Sequence, residues 1–210
     1  MTNKSQNARL TEDQKNLYQE NGYIILRQVF STTECQDFVG HMEDLENGKK
    51  DLEQFAQQST YGFRTFNQHL YDPWALNFLI HPRLANCIGD EAEAIQTIHF
   101  YQGSEHPRHQ DQYYLPDCMS AWIAMVDVTD KNGPLCVQPG SHRGRLITKR
   151  DVSMECSSGE TYEDQQANRY FPAVEKVFMK NGIKEIELQA NQGDVVLFHG
   201  RLIHGRLVRV

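Results

Sequence analysis

From residue 94 onwards the chain is built from short runs of β-branched and aromatic residues, separated by Gly, Pro, Asn and Asp. Runs of this length and composition are typical of a protein with several short strands. We expect these strands at residues 95–101, 121–128, 135–138, 183–188 and 195–198. The sequence therefore predicts a mainly β core over residues 94–210.

The residues before this core predict helices that flank it. Thr11 and Ser31 are suited to the N-terminal cap of a helix, and Glu34 completes a capping box with Ser31. A chain of 210 residues can bury one substantial core. We therefore expect a single domain, 1–210, with a mostly helical flank over residues 1–93. Within the flank we expect helices at 11–21, 31–45 and 73–88 and a strand at 23–30.

Residues 144–181 form a long polar stretch in which no hydrophobic period is clear. A segment of this length without secondary structure is uncommon inside a compact domain, and it is usually functional or disordered. We expect this stretch to be an insertion in the β core that acts as a lid over the functional site.

His109 and Asp111 are separated by one residue and are candidate ligands of a metal ion. Side chains alternate between the two faces of a strand, so these two would point the same way and could chelate one ion. A histidine from a distant strand, such as His204, would complete two imidazoles and one carboxylate. This ligand set, with open coordination positions, is that of non-haem Fe(II) oxygenases. The alternative is that His109 and Asp111 form an exposed loop pair, because the same spacing also arises by chance.

The charge balance and the cysteines exclude several classes of protein. The chain has 28 acidic and 21 basic residues, a net charge of −7 with neutral histidines, which argues against a nucleic-acid-binding surface. It contains no apolar run of membrane-spanning length, and its start is too polar for a secretory signal. Five cysteines without a CxxC pair indicate neither a disulfide framework nor a zinc knuckle. We expect a cytoplasmic monomer or homodimer that binds neither nucleic acid nor membranes.

Several segments, taken together and in order along the chain, resemble the phytanoyl-CoA dioxygenase family of Fe(II)/2-oxoglutarate-dependent oxygenases. The resemblance covers nearly the whole chain. It implies a double-stranded β-helix (a cupin-like jelly roll), in which His109, Asp111 and a distal histidine hold Fe(II), with 2-oxoglutarate and O₂ as cosubstrates. The segments that carry it are residues 21–26, 109–111, 122–127, 132–142 and 193–204.

Two histidines compete for the distal position, His199 and His204. Their numbers differ by an odd number, so on a regular strand they face opposite ways and cannot both be ligands. The family places its ligand immediately before the glycine that ends this segment, which is Gly205 here, so the resemblance implies His204. We expect His199 to be a packing residue, and His142, which follows a Pro-Gly-Ser turn, to fix the geometry of its loop.

The residues that would bind 2-oxoglutarate follow the family pattern less closely. Relatives usually grip its distal carboxylate with a planar guanidinium about ten residues after the distal histidine. Here Arg206 and Arg209 are the nearby candidates, and both could equally be solvated terminal charges. Gln96 and Trp122 lie on predicted strands that approach the cosubstrate in relatives, and each could equally belong to the core. Because the chain stops at Val210, we also expect a jelly roll that lacks its last strand, as in a truncated form of a longer protein.

The resemblance implies a dioxygenase that hydroxylates a small organic substrate or an acyl chain. Asp111 supports hydroxylation, because relatives that halogenate carry a small residue at this position. We expect the stretch 144–181 and groups near the iron, such as Tyr113, Tyr114 and Arg143, to select the substrate. One alternative is a non-catalytic metal-binding jelly roll that has lost the cosubstrate clamp. Another is a cupin-type hydrolase or isomerase that uses a metal without 2-oxoglutarate.

Overall fold

Two antiparallel sheets form the β core of the protein. The computed structural model describes residues 9–52, 54–55, 64–88, 93–101, 106–152 and 159–206. The first sheet has the strand order β1 (Tyr23–Leu26), β8 (Val195–His199), β5 (Met119–Ile123). The second has the order β4 (His106–His109), β9 (His204–Arg206), β6 (Leu135–Val137), β7 (Ile186–Leu188). A separate pair joins β2 (Arg64–Phe66) to β3 (Ile98–Phe100).

Strand β8 explains why the first sheet is buried on both faces. Val195 and Leu197 pack in a cluster with Phe30 and other residues of the helical flank. Val196 and Phe198 point the other way and pack in a cluster that includes β6 and β7 of the second sheet. A continuous apolar run is what a strand covered on both sides requires. The two sheets thus face each other across this second cluster, and the fold is the predicted cupin-like jelly roll with flanking helices.

The helical flank begins with two capped helices. Helix α1 (Glu12–Asn21) has a capping box at Thr11, and helix α2 (Thr32–Glu46) has the predicted capping box at Ser31. The predicted helix over residues 73–88 is instead two short helices, α3 (Pro73–Leu79) and α4 (Pro82–Ile88). Pro82 explains the break, because proline is disfavoured inside a helix and favoured in its first turn.

Several strands are shorter than the sequence predicted. The strand expected over residues 23–30 ends at Leu26, and Gln28 has a positive φ of 51°. A turn follows, because the buried carboxylate of Asp194 accepts hydrogen bonds from the backbone N–H of Gln28 and from the guanidinium of Arg27, at 2.9 and 2.6 Å. The carboxylate also accepts the N–H of Asn191 at 2.9 Å. Asp194 therefore joins the turn before β8 to the segment that follows β1.

The stretch over residues 144–181 is helical over much of its described length. It contains helix α5 (Tyr162–Gln165), a π-helical turn (Gln166–Tyr170) and helix α6 (Phe171–Asn181). Phe171, Val174 and Phe178 lie at helical spacing and pack toward the core, so a period is present that the sequence prediction did not recognise. Residues 153–158 lie outside the described part of the chain. That the stretch acts as a lid stays a prediction.

In the described part of the chain, none of the helices has both the length and the apolar character needed to cross a membrane.

Candidate metal centre

The candidate ligands meet where β4 lies beside β9. His109 is the last residue of β4, His204 is the first residue of β9, and the two are directly opposite each other in the antiparallel register. Directly opposite residues of an antiparallel pair carry their side chains on the same face of the sheet. The register therefore brings two imidazoles together from positions that are 95 residues apart, and the centroids of their rings are 4.1 Å apart.

Asp111 reaches the same point by a route that strand alternation did not predict. The strand ends at His109, and Asp111 begins a 3₁₀ turn, Asp111–Tyr113. The prediction that both residues lie on one regular strand is therefore wrong. The turn nevertheless brings Oδ1 of Asp111 to 3.3 Å from Nε2 of His109 and to 3.5 Å from Nε2 of His204. One ligand atom from each of the three residues lies within 4.8 Å of the others.

The two imidazoles are held in orientations that suit a metal ion. Nδ1 of His109 lies 2.8 Å from the carbonyl oxygen of Pro107, and Nδ1 of His204 lies 2.9 Å from that of Leu202. A carbonyl can only accept, so each Nδ1 carries the proton and donates it. The lone pair of each Nε2 then faces Asp111, which is the tautomer that a metal ligand needs. The donor set fits a divalent transition metal.

Burial sets the electrostatics of this cluster. His109 and His204 are only 3% and 4% exposed. Burial lowers the pKa of His109, which keeps that ring neutral. Burial alone would raise the pKa of Asp111, but the two imidazoles outweigh it and hold this pKa well below its usual value. Burial alone would lower the pKa of His204, but the ionised carboxylate of Asp111 outweighs it and raises this pKa. The ionised carboxylate thus favours a proton on Nε2 of His204, and a divalent cation would compete with that proton for the same nitrogen.

Ser120 is a site residue that the sequence analysis missed. It lies on β5, in the opposite sheet, and its hydroxyl donates a hydrogen bond of 2.5 Å to Oδ2 of Asp111. One carboxylate oxygen is therefore occupied by a serine while the other faces both imidazoles. No local signal marks this serine, because its role depends on how the two sheets face each other.

The cluster is bordered on one side by aromatic rings and a cation. The ring of His106, the first residue of β4, lies 3.8 Å from that of His109. Burial lowers the pKa of His106 to about 2, so this ring is neutral. Phe100 packs against His106 at 6.2 Å, and the guanidinium of Arg64 lies 5.6 Å above the Phe100 ring.

The predicted cosubstrate contacts lie in different surroundings. Trp122 is half-buried on β5, two residues from Ser120 and so on the same face of that strand. Arg206 is on β9, two residues from His204, and its Nη2 donates to the carbonyl oxygen of Asn132 at 2.7 Å. Its buried Nε has no hydrogen-bond partner among the described residues. The prediction that Gln96 lies on a strand is wrong, because it is exposed and precedes β3. Arg209 lies outside the described residues.

The other histidines that were weighed lie outside the cluster, as predicted. His199 stacks on Tyr18 with a centroid distance of 6.5 Å, and its Nδ1 accepts the backbone N–H of Arg201. His142 is buried, and its Nε2 lies 3.1 Å from the carbonyl oxygen of Gln19. It therefore joins its loop to α1. Arg143 is exposed and donates to the carbonyl oxygen of Glu20, on the same side of the molecule.

The sequence comparisons match this chain to one protein family. The sequence profile described as "Phytanoyl-CoA dioxygenase (PhyH)" matches residues 18–205. The Caenorhabditis elegans protein named probable phytanoyl-CoA dioxygenase is 24% identical, over 93% of this chain and 70% of its own length. The human peroxisomal phytanoyl-CoA dioxygenase is also 24% identical, over 93% of this chain and 63% of its own length. This chain thus spans about two thirds of the length of these relatives.

The fold is also found in solved structures. The crystal structure of EctD from S. alaskensis with 2-oxoglutarate and 5-hydroxyectoine superposes with a TM-score of 0.70 and 23% sequence identity. The match covers 100% of this chain and 73% of that one. At this level of identity the similarity establishes the fold.

Proposed function

Because this chain belongs to the phytanoyl-CoA dioxygenase family, we propose that it is an Fe(II)- and 2-oxoglutarate-dependent dioxygenase that oxidises a small organic substrate. The observation that carries this proposal is the convergence of His109, Asp111 and His204, each offering one ligand atom within 4.8 Å of the others. Two imidazoles and one carboxylate on one face of an ion leave the remaining coordination positions open for other molecules.

In this proposal the three residues hold Fe(II), and the residues around them orient the ligands and exclude water from them. When bound, iron with 2-oxoglutarate and O₂ supplies the oxidising chemistry, which yields succinate and CO₂ along with the oxidised substrate. The ring of Phe198 lies 4.6 Å from that of His204 and excludes water from that side. The carbonyl groups of Pro107 and Leu202 fix the proton of each imidazole on Nδ1. The protein therefore supplies position and electrostatics, while the cofactors supply the reactivity.

Arg206 is the residue that we assign to the distal carboxylate of 2-oxoglutarate. It lies on the same face of β9 as His204, because one residue separates them. Its guanidinium has five N–H donors, and a single hydrogen bond to Asn132 leaves donors for a carboxylate. Trp122, on the same face of β5 as Ser120, would border the cosubstrate. Gln96 and Arg209 remain weaker assignments, since one is exposed and the other lies outside the described residues.

Other parts of the proposal rest on the properties of the whole chain. We assign residues 1–210 to one domain, in which 144–181 helps to select the substrate. Cys35, Cys87 and Cys118 form no disulfide within the described part of the chain, which fits the reducing cytoplasm. The net charge of −7 fits a monomer or homodimer that does not bind nucleic acid. A small-molecule substrate is consistent with the 5-hydroxyectoine held by EctD.

The experiment that tests this function measures succinate. Purified protein is incubated with Fe(II), 2-oxoglutarate, ascorbate and O₂, alone and with a panel of small carboxylic acids and acyl thioesters. We expect succinate formation that His109→Ala and Asp111→Ala each abolish. The matched control is His199→Ala, because His199 is a nearby histidine outside the cluster, and this variant should keep the activity of the wild type.

A binding measurement separates this function from its alternatives. Stoichiometric Fe(II) binding that depends on His109, without succinate under any condition, would favour the non-catalytic metal-binding module. Substrate turnover with bound metal and no need for 2-oxoglutarate would favour the hydrolase or isomerase. Wild-type protein that binds no more Fe(II) than His109→Ala would refute every metal-dependent reading.

A further inference from the structure

Gln110 separates two of the proposed ligands and is completely buried, with 0% of its surface exposed. A buried polar group is costly unless it is hydrogen-bonded, and an amide side chain offers two donors and one acceptor. Every one of these groups has a partner in the structure, as do the backbone N–H and carbonyl of the same residue. Such complete pairing fixes both the side chain and the peptide groups on either side of it.

One phenol, that of Tyr170, binds both backbone groups of Gln110, whose carbonyl oxygen also accepts the N–H of Tyr113 at 3.0 Å. The phenolic oxygen accepts the N–H of Gln110 at 2.9 Å and donates to the carbonyl oxygen of Gln110 at 3.0 Å. Because β4 ends at His109, Gln110 is paired with none of the strands in the described part of the chain. The phenol takes the place that a neighbouring strand would occupy in a continuing sheet, at the residue between the proposed ligands His109 and Asp111.

The side chain of Gln110 joins the first two ligands to the segment that carries the third. Its amide donates to the carbonyl oxygens of Arg145 and Arg201, at 3.1 and 2.8 Å, and its oxygen accepts the N–H of Ile147 at 3.0 Å. Arg201 lies three residues before His204. The N–H of Gln112 strengthens this link by donating to the carbonyl oxygen of Gly200 at 2.7 Å.

Tyr170 is itself held firmly in place. It is 0% exposed and closes the π-helical turn that precedes α6. Its ring stacks on that of Tyr113, in the same 3₁₀ turn as Asp111, with a centroid distance of 3.7 Å. On the other side of His109, the guanidinium of Arg108 is hydrogen-bonded to Glu175 of α6. The residues on both sides of His109 thus fix it to the helical segment.

We propose that Gln110 and Tyr170 are positioning residues, which hold His109, Asp111 and His204 at the separations that a metal ion requires. This inference rests on the proposed metal-binding function. It also assigns to the helical segment around Tyr170 a role as support for the ligands. Hydrogen-bonded partners of metal ligands typically change metal affinity by about 10- to 100-fold when they are removed.

The test measures metal affinity separately from folding stability. The variants are Gln110→Met, which keeps the size of the side chain but removes its donors and acceptor, and Tyr170→Phe, which removes one oxygen and keeps the stacked ring. Mn(II) is the probe, and binding is followed by the loss of the electron paramagnetic resonance signal of free Mn(II). Thermal unfolding of the metal-free proteins reports stability. We expect Kd for Mn(II) to rise about 10-fold or more in each variant.

Gln138→Met is the matched control. Gln138 is also 0% exposed, and its amide donates to the carbonyl oxygens of Phe178 and Ile183, both at 2.9 Å. It should lose stability as Gln110→Met does while keeping the Mn(II) affinity of the wild type. If all three variants bind Mn(II) as tightly as the wild type, Gln110 and Tyr170 are only structural and the inference is wrong. If the wild type itself fails to bind Mn(II), the proposed function fails first. If Gln110→Met does not fold, Kd for Mn(II) in Tyr170→Phe is the test: an increase supports the inference and a wild-type value refutes it.

Discussion

Replacing Ser120 with alanine is expected to weaken metal binding, because the variant removes the donor that orients Asp111. The serine hydroxyl lies 2.5 Å from Oδ2 of the carboxylate. A hydrogen bond to a charged group contributes about 1.5–3 kcal/mol. The Asp111 side chain is 23% exposed, so water can replace part of this bond in the variant. A net loss of about 1–2 kcal/mol remains, which corresponds to a roughly 5- to 30-fold increase in Kd for the metal.

The assay is anaerobic titration of the metal-free protein with Fe(II), repeated with Mn(II) to exclude oxidation. The unfolding free energy of the metal-free variant is measured in urea, so that a change in folding can be separated from a change in binding. We expect the variant to unfold cooperatively and to bind one metal ion per chain with reduced affinity. Succinate formation at saturating Fe(II) should recover in part, because all three ligands are still present.

Ser31→Ala is the control for this variant. Ser31 also donates from its hydroxyl to a carboxylate, that of Glu34, at 2.7 Å, but it lies at the N-terminus of α2. Losing this cap should reduce stability by about 1 kcal/mol and leave Kd for the metal unchanged. An unchanged Kd in Ser120→Ala would refute the view that this hydroxyl orients Asp111 for metal binding.

Three further predictions concern stability. Burial alone would raise the pKa of Asp194, but its hydrogen bonds outweigh burial and lower this pKa. The ionised carboxylate therefore stabilises the fold above its unfolded pKa, and this stabilisation is lost as pH falls through the lower folded pKa. Asp194→Asn should therefore reduce the fall in unfolding free energy below about pH 4, measured by urea unfolding across pH. A double-mutant cycle of Arg108→Met and Glu185→Gln should give a coupling free energy of about 1 kcal/mol in urea unfolding, because the ion pair is bidentate and partly buried. Additive effects of the two substitutions would contradict this. Gly193→Ala should lower the unfolding free energy by about 2 kcal/mol or more, because φ is +89° and the new Cβ would lie 2.1 Å from the carbonyl oxygen of Phe30. A melting temperature equal to that of the wild type would refute this prediction.

The sequence alone determined those features that depend on residue type and local spacing. The cap residue Thr11 and the capping box at Ser31 start helices through bonds within one turn, so they were predictable apart from exact boundaries. The apolar run at β8 predicted a strand, and the chemistry of His109 and Asp111 pointed to the first two candidate ligands. The choice of His204 over His199 came from the resemblance to a family, and the geometry agrees with it.

Only the tertiary structure decided how these residues meet and what holds them there. Alternation on a strand predicted that Asp111 lies beside His109, which is the case. Asp111 reaches this position through a 3₁₀ turn, however, and not on a strand. Ser120 becomes a partner of Asp111 because one sheet faces the other, and Tyr170 binds Gln110 from 60 residues away. The physical reason is that a hydrogen bond across the core depends on strand register and on the packing of whole elements. Neither quantity is encoded in the spacing of neighbouring residues.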